Sequence, residues 1–170
     1  MKSPRWRVFL LSLVLGVAVI SPTAALGAAH GTNRPLTGKS TGTAMVNLLS
    51  GATTSQFSGQ LSHLGAFTGT AVELFTPVGL GPLIPYTLTG TETLVAANGS
   101  KLFGAVNGTG LNNTVDLTAQ GTNVVTITGG TGRFADATGT FTETYSTSYV
   151  VSGTTATGPV STTARGHISY

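Results

Sequence analysis

Beyond residue 30, apolar and polar residues alternate with a period of two, and no segment sustains the 3.6-residue spacing of an amphipathic helix. The clearest stretch is Thr140 to Val151. Phe141, Tyr145, Tyr149 and Val151 share one side of the extended chain, and Thr142, Thr144, Ser146 and Ser148 share the other. Glu143 and Thr147 interrupt the apolar side. The same pattern predicts strands at 36–49, 60–75, 84–97, 100–109, 111–119, 122–128, 139–151 and 157–170. Asn98-Gly99 is the strongest hairpin signal among them.

The connections differ in character. Ser50 to Gly59 reads as a polar, mobile link. Pro77 to Pro85 is apolar and uncharged, and its prolines exclude a central strand. It is expected to pack over an end of the fold, with a lid or an oligomer contact as the alternative. Residues 30–35 read as a loose tail. Together these features predict an all-β domain over 36–170, a single closed antiparallel barrel of about eight strands. Closure removes the sheet edges that a Thr-rich sheet would otherwise expose. The chain has no cysteine, so stability must come from packing and closure.

The first 29 residues follow another logic. Lys2, Arg5 and Arg7 precede the 13-residue apolar run Val8 to Ile20, too short to span a membrane comfortably, and Gly27-Ala28-Ala29 supplies small residues for cleavage. Residues 1–29 thus read as a secretory signal peptide, and the protein is expected outside the cell. Its removal changes the charge. The whole chain carries +3, but Arg34, Lys39, Lys101, Arg133 and Arg165 would remain against Glu73, Glu92, Asp116, Asp136 and Glu143. A chain near neutrality offers no basic patch for nucleic acid and no basic amphipathic helix for a membrane surface.

Between two strands lies Ile127 to Phe141, ITGGTGRFADATGTF. A phosphate loop would need Gly-Lys-Ser/Thr and a following helix, and neither is present. The stretch resembles the turn of dirigent proteins and allene oxide cyclases, through Gly129, Gly130, Thr131, Gly132, Phe134 and Gly139. The chain as a whole more weakly resembles Thr/Gly-rich secreted bacterial proteins placed beside that superfamily. The resemblance implies an eight-stranded antiparallel barrel and leaves activity open, because fold does not fix function.

Candidate chemistry lies in carboxylates on apolar faces. Glu143 falls between Phe141 and Tyr145. Glu92 shares the side of Tyr86, Leu88 and Leu94. Glu73 shares that of Phe67, Ala71 and Phe75. An unpaired buried carboxylate is costly, so each must be paired, protonated, near a rim or reserved for a ligand. His63 has the parity of Phe67 and Glu73, which would allow an interior His–Glu pair. Arg165 and His167 should face solvent. Three scattered histidines without cysteine give no zinc spacing, and neither a metal nor a cofactor is expected.

Glu73, Glu92, Glu143, Tyr145, Phe141 and His63 are therefore the candidate ligand-binding residues, with no catalytic set assigned. The first function class is a non-catalytic, dirigent-like barrel holding a small apolar or amphipathic molecule. The second is a structural or cell-surface module with no cavity. The third is a cyclase or isomerase resembling allene oxide cyclase. A homo-oligomer is the other partnership expected.

Overall fold

The computed structural model describes residues 32–170. The signal peptide and the start of the tail, residues 30 and 31, lie outside the described residues. The strands are β1 (Arg34–Asn47), β2 (Ala52–Leu61), β3 (Gly65–Pro77), β4 (Leu83–Ala96), β5 (Lys101–Asn113), β6 (Thr118–Gly130), β7 (Thr138–Ser148), β8 (Val150–Ser152) and β9 (Thr155–Ser169). One short 3-10 turn, Gly132–Phe134, separates β6 from β7.

Each strand pairs antiparallel with its sequence neighbour from β1 to β7, β7 pairs with β9, and β9 returns to β1. The result is a closed eight-stranded antiparallel barrel. The three-residue β8 is an extra piece that prolongs the β7 ladder along the start of β9. Fourteen paired positions join β1 to β9, from Arg34↔Ile168 to Asn47↔Thr155, so closure is as complete as any hairpin in the chain. The tail expected at 30–35 gives way to strand at Arg34.

Inside and outside follow the two-residue period. On β7, Phe141, Glu143, Tyr145 and Thr147 are the covered positions and the intervening Thr and Ser are exposed. On β9, Ala164 and Ile168 are buried, whereas Arg165 and His167 face solvent as expected.

Two strand assignments change. The link expected at 50–59 is strand β2, paired with β1 and β3. Its inward residues include Thr53, Ser55 and Gly59, small or polar groups that hide an inward face from a hydrophobicity pattern. The long strand expected at 60–75 is therefore two, turned at Ser62–Leu64, where His63 takes φ +71°. In the other direction, the two strands expected at 100–109 and 111–119 are largely one. Gly110 does not turn the chain; it lies opposite Tyr86, whose ring occupies the space a side chain would take. The reversal comes three residues later, where the Asn113 side-chain oxygen accepts from the backbone N–H groups of Val115 and Asp116.

The barrel is packed solid at one end. Leu36, Leu61, Leu64, Leu102, Ile127, Phe134 and Ile168 are all buried there. Phe134 is fully buried, with its ring edge-on to Tyr170 at 5.0 Å. Its neighbour Arg133 crosses over to the β2–β3 turn and donates to the His63 carbonyl at 2.6 Å. The glycines before Phe134 are fixed by two different constraints. Gly132 sits at φ +60°, which costs any other residue strain. Gly130 is not at positive φ, but a Cβ there would collide with the Lys101 carbonyl and lie 2.9 Å from the Phe134 Cβ. Gly130→Ala and Gly132→Ala should each destabilise the protein by about 1 kcal/mol or more. Thermal melts check this, and wild-type melting in both variants would contradict it.

Candidate functional site

The other half of the barrel is hollow. A cavity of about 150 Å³ lies between the C-terminal ends of β1, β3, β5 and β7 and the N-terminal ends of β2, β4, β6 and β9. It reaches the surface beside the half-exposed Leu48. Leu88, Phe57, Phe75, Ala71 and Val160 supply apolar wall. Three carboxyl groups also line it, from Glu73 on β3, Glu92 on β4 and Glu143 on β7. The three glutamates are thus inside, as their parity requires, and share one cavity.

Five inward polar or aromatic side chains around this cavity share a structural device. Each lies opposite a glycine of the neighbouring strand: Glu73 with Gly90, Glu92 with Gly104, Asn123 with Gly108, Tyr86 with Gly110 and Tyr145 with Gly121. The side chain folds across the space the glycine leaves. A Cβ on Gly90 would come within 2.9 Å of the Glu73 Cγ, and one on Gly121 within 2.7 Å of the Tyr145 Cζ. Mid-strand glycine otherwise weakens a strand, and here it makes room for a close approach. These glycines were the unread signal in the sequence.

The surroundings hold the carboxyls close to their neutral forms. Burial raises Glu73 from 4.5 to about 7, and the charge of Glu143 adds to the effect. Burial likewise raises Glu143 to about 7, while a hydrogen bond from the Asn123 amide partly offsets the rise. Glu92 is only 5% exposed and is pushed well above the ordinary carboxyl range, by burial first and then by Glu143 and Glu73. No Lys, Arg or His lines the cavity among the described residues. The Tyr86 and Tyr145 hydroxyls meet at 2.6 Å, and burial raises both. Asn123, buried and directly across the strand pair from Glu143, has a side-chain oxygen with no hydrogen-bond partner.

Tyr145, a predicted site residue, lines the cavity with the glutamates. Phe141 does not line it; it is 2% exposed and belongs to the packed half, beneath Glu143. His63 is not interior. The reversal at Ser62–Leu64 resets its parity and carries it to the packed end, where Nε2 lies 3.1 Å from the Pro35 carbonyl and Nδ1 lies 3.4 Å from the Tyr170 hydroxyl. Eight residues of strand, about 26 Å, separate Gly65 from Glu73, so the His–Glu pair does not form. Asn123 and Tyr86 are polar residues of the site that are not among the six expected from the sequence. Asn123 has the parity of Val125 and Ile127, which was legible, but asparagine reads first as a turn residue.

The rim of the hollow end is apolar. The Pro77–Pro85 segment does not fold over it: Leu80 is 98% exposed and Val78 is exposed beside it. Leu49 in the β1–β2 connection and Val150 at the start of β8 are exposed at the same end. Among the described residues there is no cluster of His, Cys, Asp or Glu arranged to hold a metal ion, and no helix is long and apolar enough to cross a membrane.

Fold and site together define a class: a closed antiparallel β-barrel, packed at one end and hollow at the other, with carboxyl groups inside the hollow half. No protein family, curated protein or solved structure matches the chain.

Proposed function

We propose that this protein is an exported, non-catalytic binding barrel for a small amphipathic molecule, held apolar end against the aromatic wall and polar end against the glutamates. One observation carries the reading: a cavity with an apolar wall contains three carboxyl groups drawn from three separate strands, none of them met by a basic residue. Burying such groups destabilises an empty barrel, and a ligand that satisfies them offsets the cost. The turn resemblance to dirigent proteins is compatible with a binding role. The volume limits the ligand. About 150 Å³ is the size of an engineered protein cavity that takes benzene, so a single ring or short branched chain fits, with any longer part leaving past Leu48.

A second reading has its own support. Two carboxyls near 7 suit proton transfer at neutral pH, as an isomerase would need. Turnover of a bound compound would favour it over simple binding.

A thermal-shift screen of compounds with six to ten heavy atoms tests the binding reading. Binders at 100 times their Kd should stabilise the wild type by about 2.7 kcal/mol. Glu143→Gln keeps the shape and removes the charge, so it should remain folded and bind amphipathic hits more weakly. A screen in which no compound raises the melting temperature would contradict the reading.

A further inference from the structure

We propose that the ligand's polar end is an organic ammonium group, carried on a compact apolar body. Resting on the cavity being a ligand site, this names the chemical class it takes. The first support is the convergence of Glu73, Glu92 and Glu143 from β3, β4 and β7. The second is independent of them: Asn123 on β6 lines the same cavity and is 6% exposed, and its side-chain oxygen accepts no hydrogen bond. A buried acceptor without a donor is costly. The site thus gathers carboxyl and amide acceptors with no basic donor among its described lining residues. An ammonium group brings up to three donors, no acceptor and a positive charge. A carboxylate ligand would bring the wrong charge, and a hydrocarbon would leave the Asn123 oxygen unpaired. Phe75, Tyr86 and Tyr145 add aromatic surface of the kind that attracts cations.

No basic group among the described lining residues competes for the carboxylates. β1 contributes Ser40 and Ala44, β2 contributes Thr53, Ser55 and Phe57, and β9 contributes Ala156 and Thr162. Lys39 on β1 is exposed on the outer face. β5 adds Asn112, whose oxygen is already taken by the Tyr149 hydroxyl at 2.7 Å. The titratable groups facing the site are therefore the three glutamates, the Tyr86–Tyr145 hydroxyl pair and Tyr149.

Pairing an ammonium with a carboxyl that is protonated in the empty barrel releases that proton. Binding should therefore strengthen as pH rises through about 7, where Glu73 and Glu143 ionise, and weaken only when the amine itself loses its proton near 10.

Calorimetric titration of the purified protein with benzylamine, benzyl alcohol, toluene and benzoate, at pH 5 and pH 8, separates the possibilities. At pH 8 benzylamine should bind at least tenfold more tightly than the other three. Its affinity should fall at least tenfold at pH 5, and binding at pH 7 should release protons into the buffer. In Glu143→Gln, benzylamine should weaken more than benzyl alcohol does. Benzyl alcohol or toluene binding as tightly as benzylamine would overturn the ammonium class and leave the ligand-site reading standing. Binding of none of the four at either pH would overturn both. The wild-type series decides the question even if the variant fails to fold.

Discussion

Raising the pH from 5 to 8 should destabilise the folded protein by on the order of 3 kcal/mol. Most proteins with paired carboxylates behave in the opposite way. Glu73 and Glu143 have folded values of about 7 against an ordinary value of 4.5, and Glu92 is also raised well above 4.5. The folded chain therefore keeps protons that the unfolded chain releases, and stability falls with pH over the interval between the two values. The contribution is complete below about 4.5 and is lost as pH passes 7. One carboxyl shifted this far corresponds to about 3 kcal/mol. The three titrate as a coupled set, and about 3 kcal/mol, the share of one group, is the least expected of it. Glu143→Gln removes a group that is penalised only when charged. It should be more stable than the wild type at pH 8 and similar to it at pH 5. Urea denaturation at the two pH values measures both effects, and wild-type stability that is flat or rises between pH 5 and 8 would contradict the burial of these groups.

Replacing Phe134 should produce the second large effect. Its ring is fully buried in the packed end and meets Tyr170 edge-on. Arg133 extends over the same ring, with its guanidinium carbon 4.7 Å from the centroid. Phe134→Ala removes the ring and leaves a void among side chains anchored on strands that cannot collapse inward. A loss of about 3–5 kcal/mol is expected. The pH dependence of stability should survive in the variant, because the glutamates lie in the other half. A loss under about 1 kcal/mol by urea denaturation would show that the turn does not plug the barrel.

The two halves also differ in how well they could be read from the sequence. The glutamates were legible because the side-chain period of a strand is two, and within one unbroken strand parity carries far. From Phe141 to Tyr145, or from Tyr86 to Leu94, no turn intervenes. His63 fails for the same reason reversed: it sits in the Ser62–Leu64 turn between β2 and β3, and parity does not survive a turn. β2 was hidden because Thr53, Ser55 and Gly59 face inward without being apolar. Gly110 looked like punctuation and is instead the seat of the Tyr86 ring. Strand number came out at eight because a missed strand and a divided one offset each other. Whether the interior was hollow was not legible. That depends on how eight faces meet across the barrel, and on Phe134 and Tyr170 filling only one end.

The central claim is that the hollow half is a ligand site. Two-dimensional methyl NMR during titration with a single-ring amphiphile such as benzylamine tests it most directly. Methyl signals of Ala44, Ala71, Leu88 and Ala156, all lining the cavity, should shift together and saturate. Those of Ile127, Ala137 and Ile168 in the packed half should stay in place. Saturable shifts confined to exposed Leu80 and Val78, or no saturable shift at any of the four cavity methyls, would contradict the account.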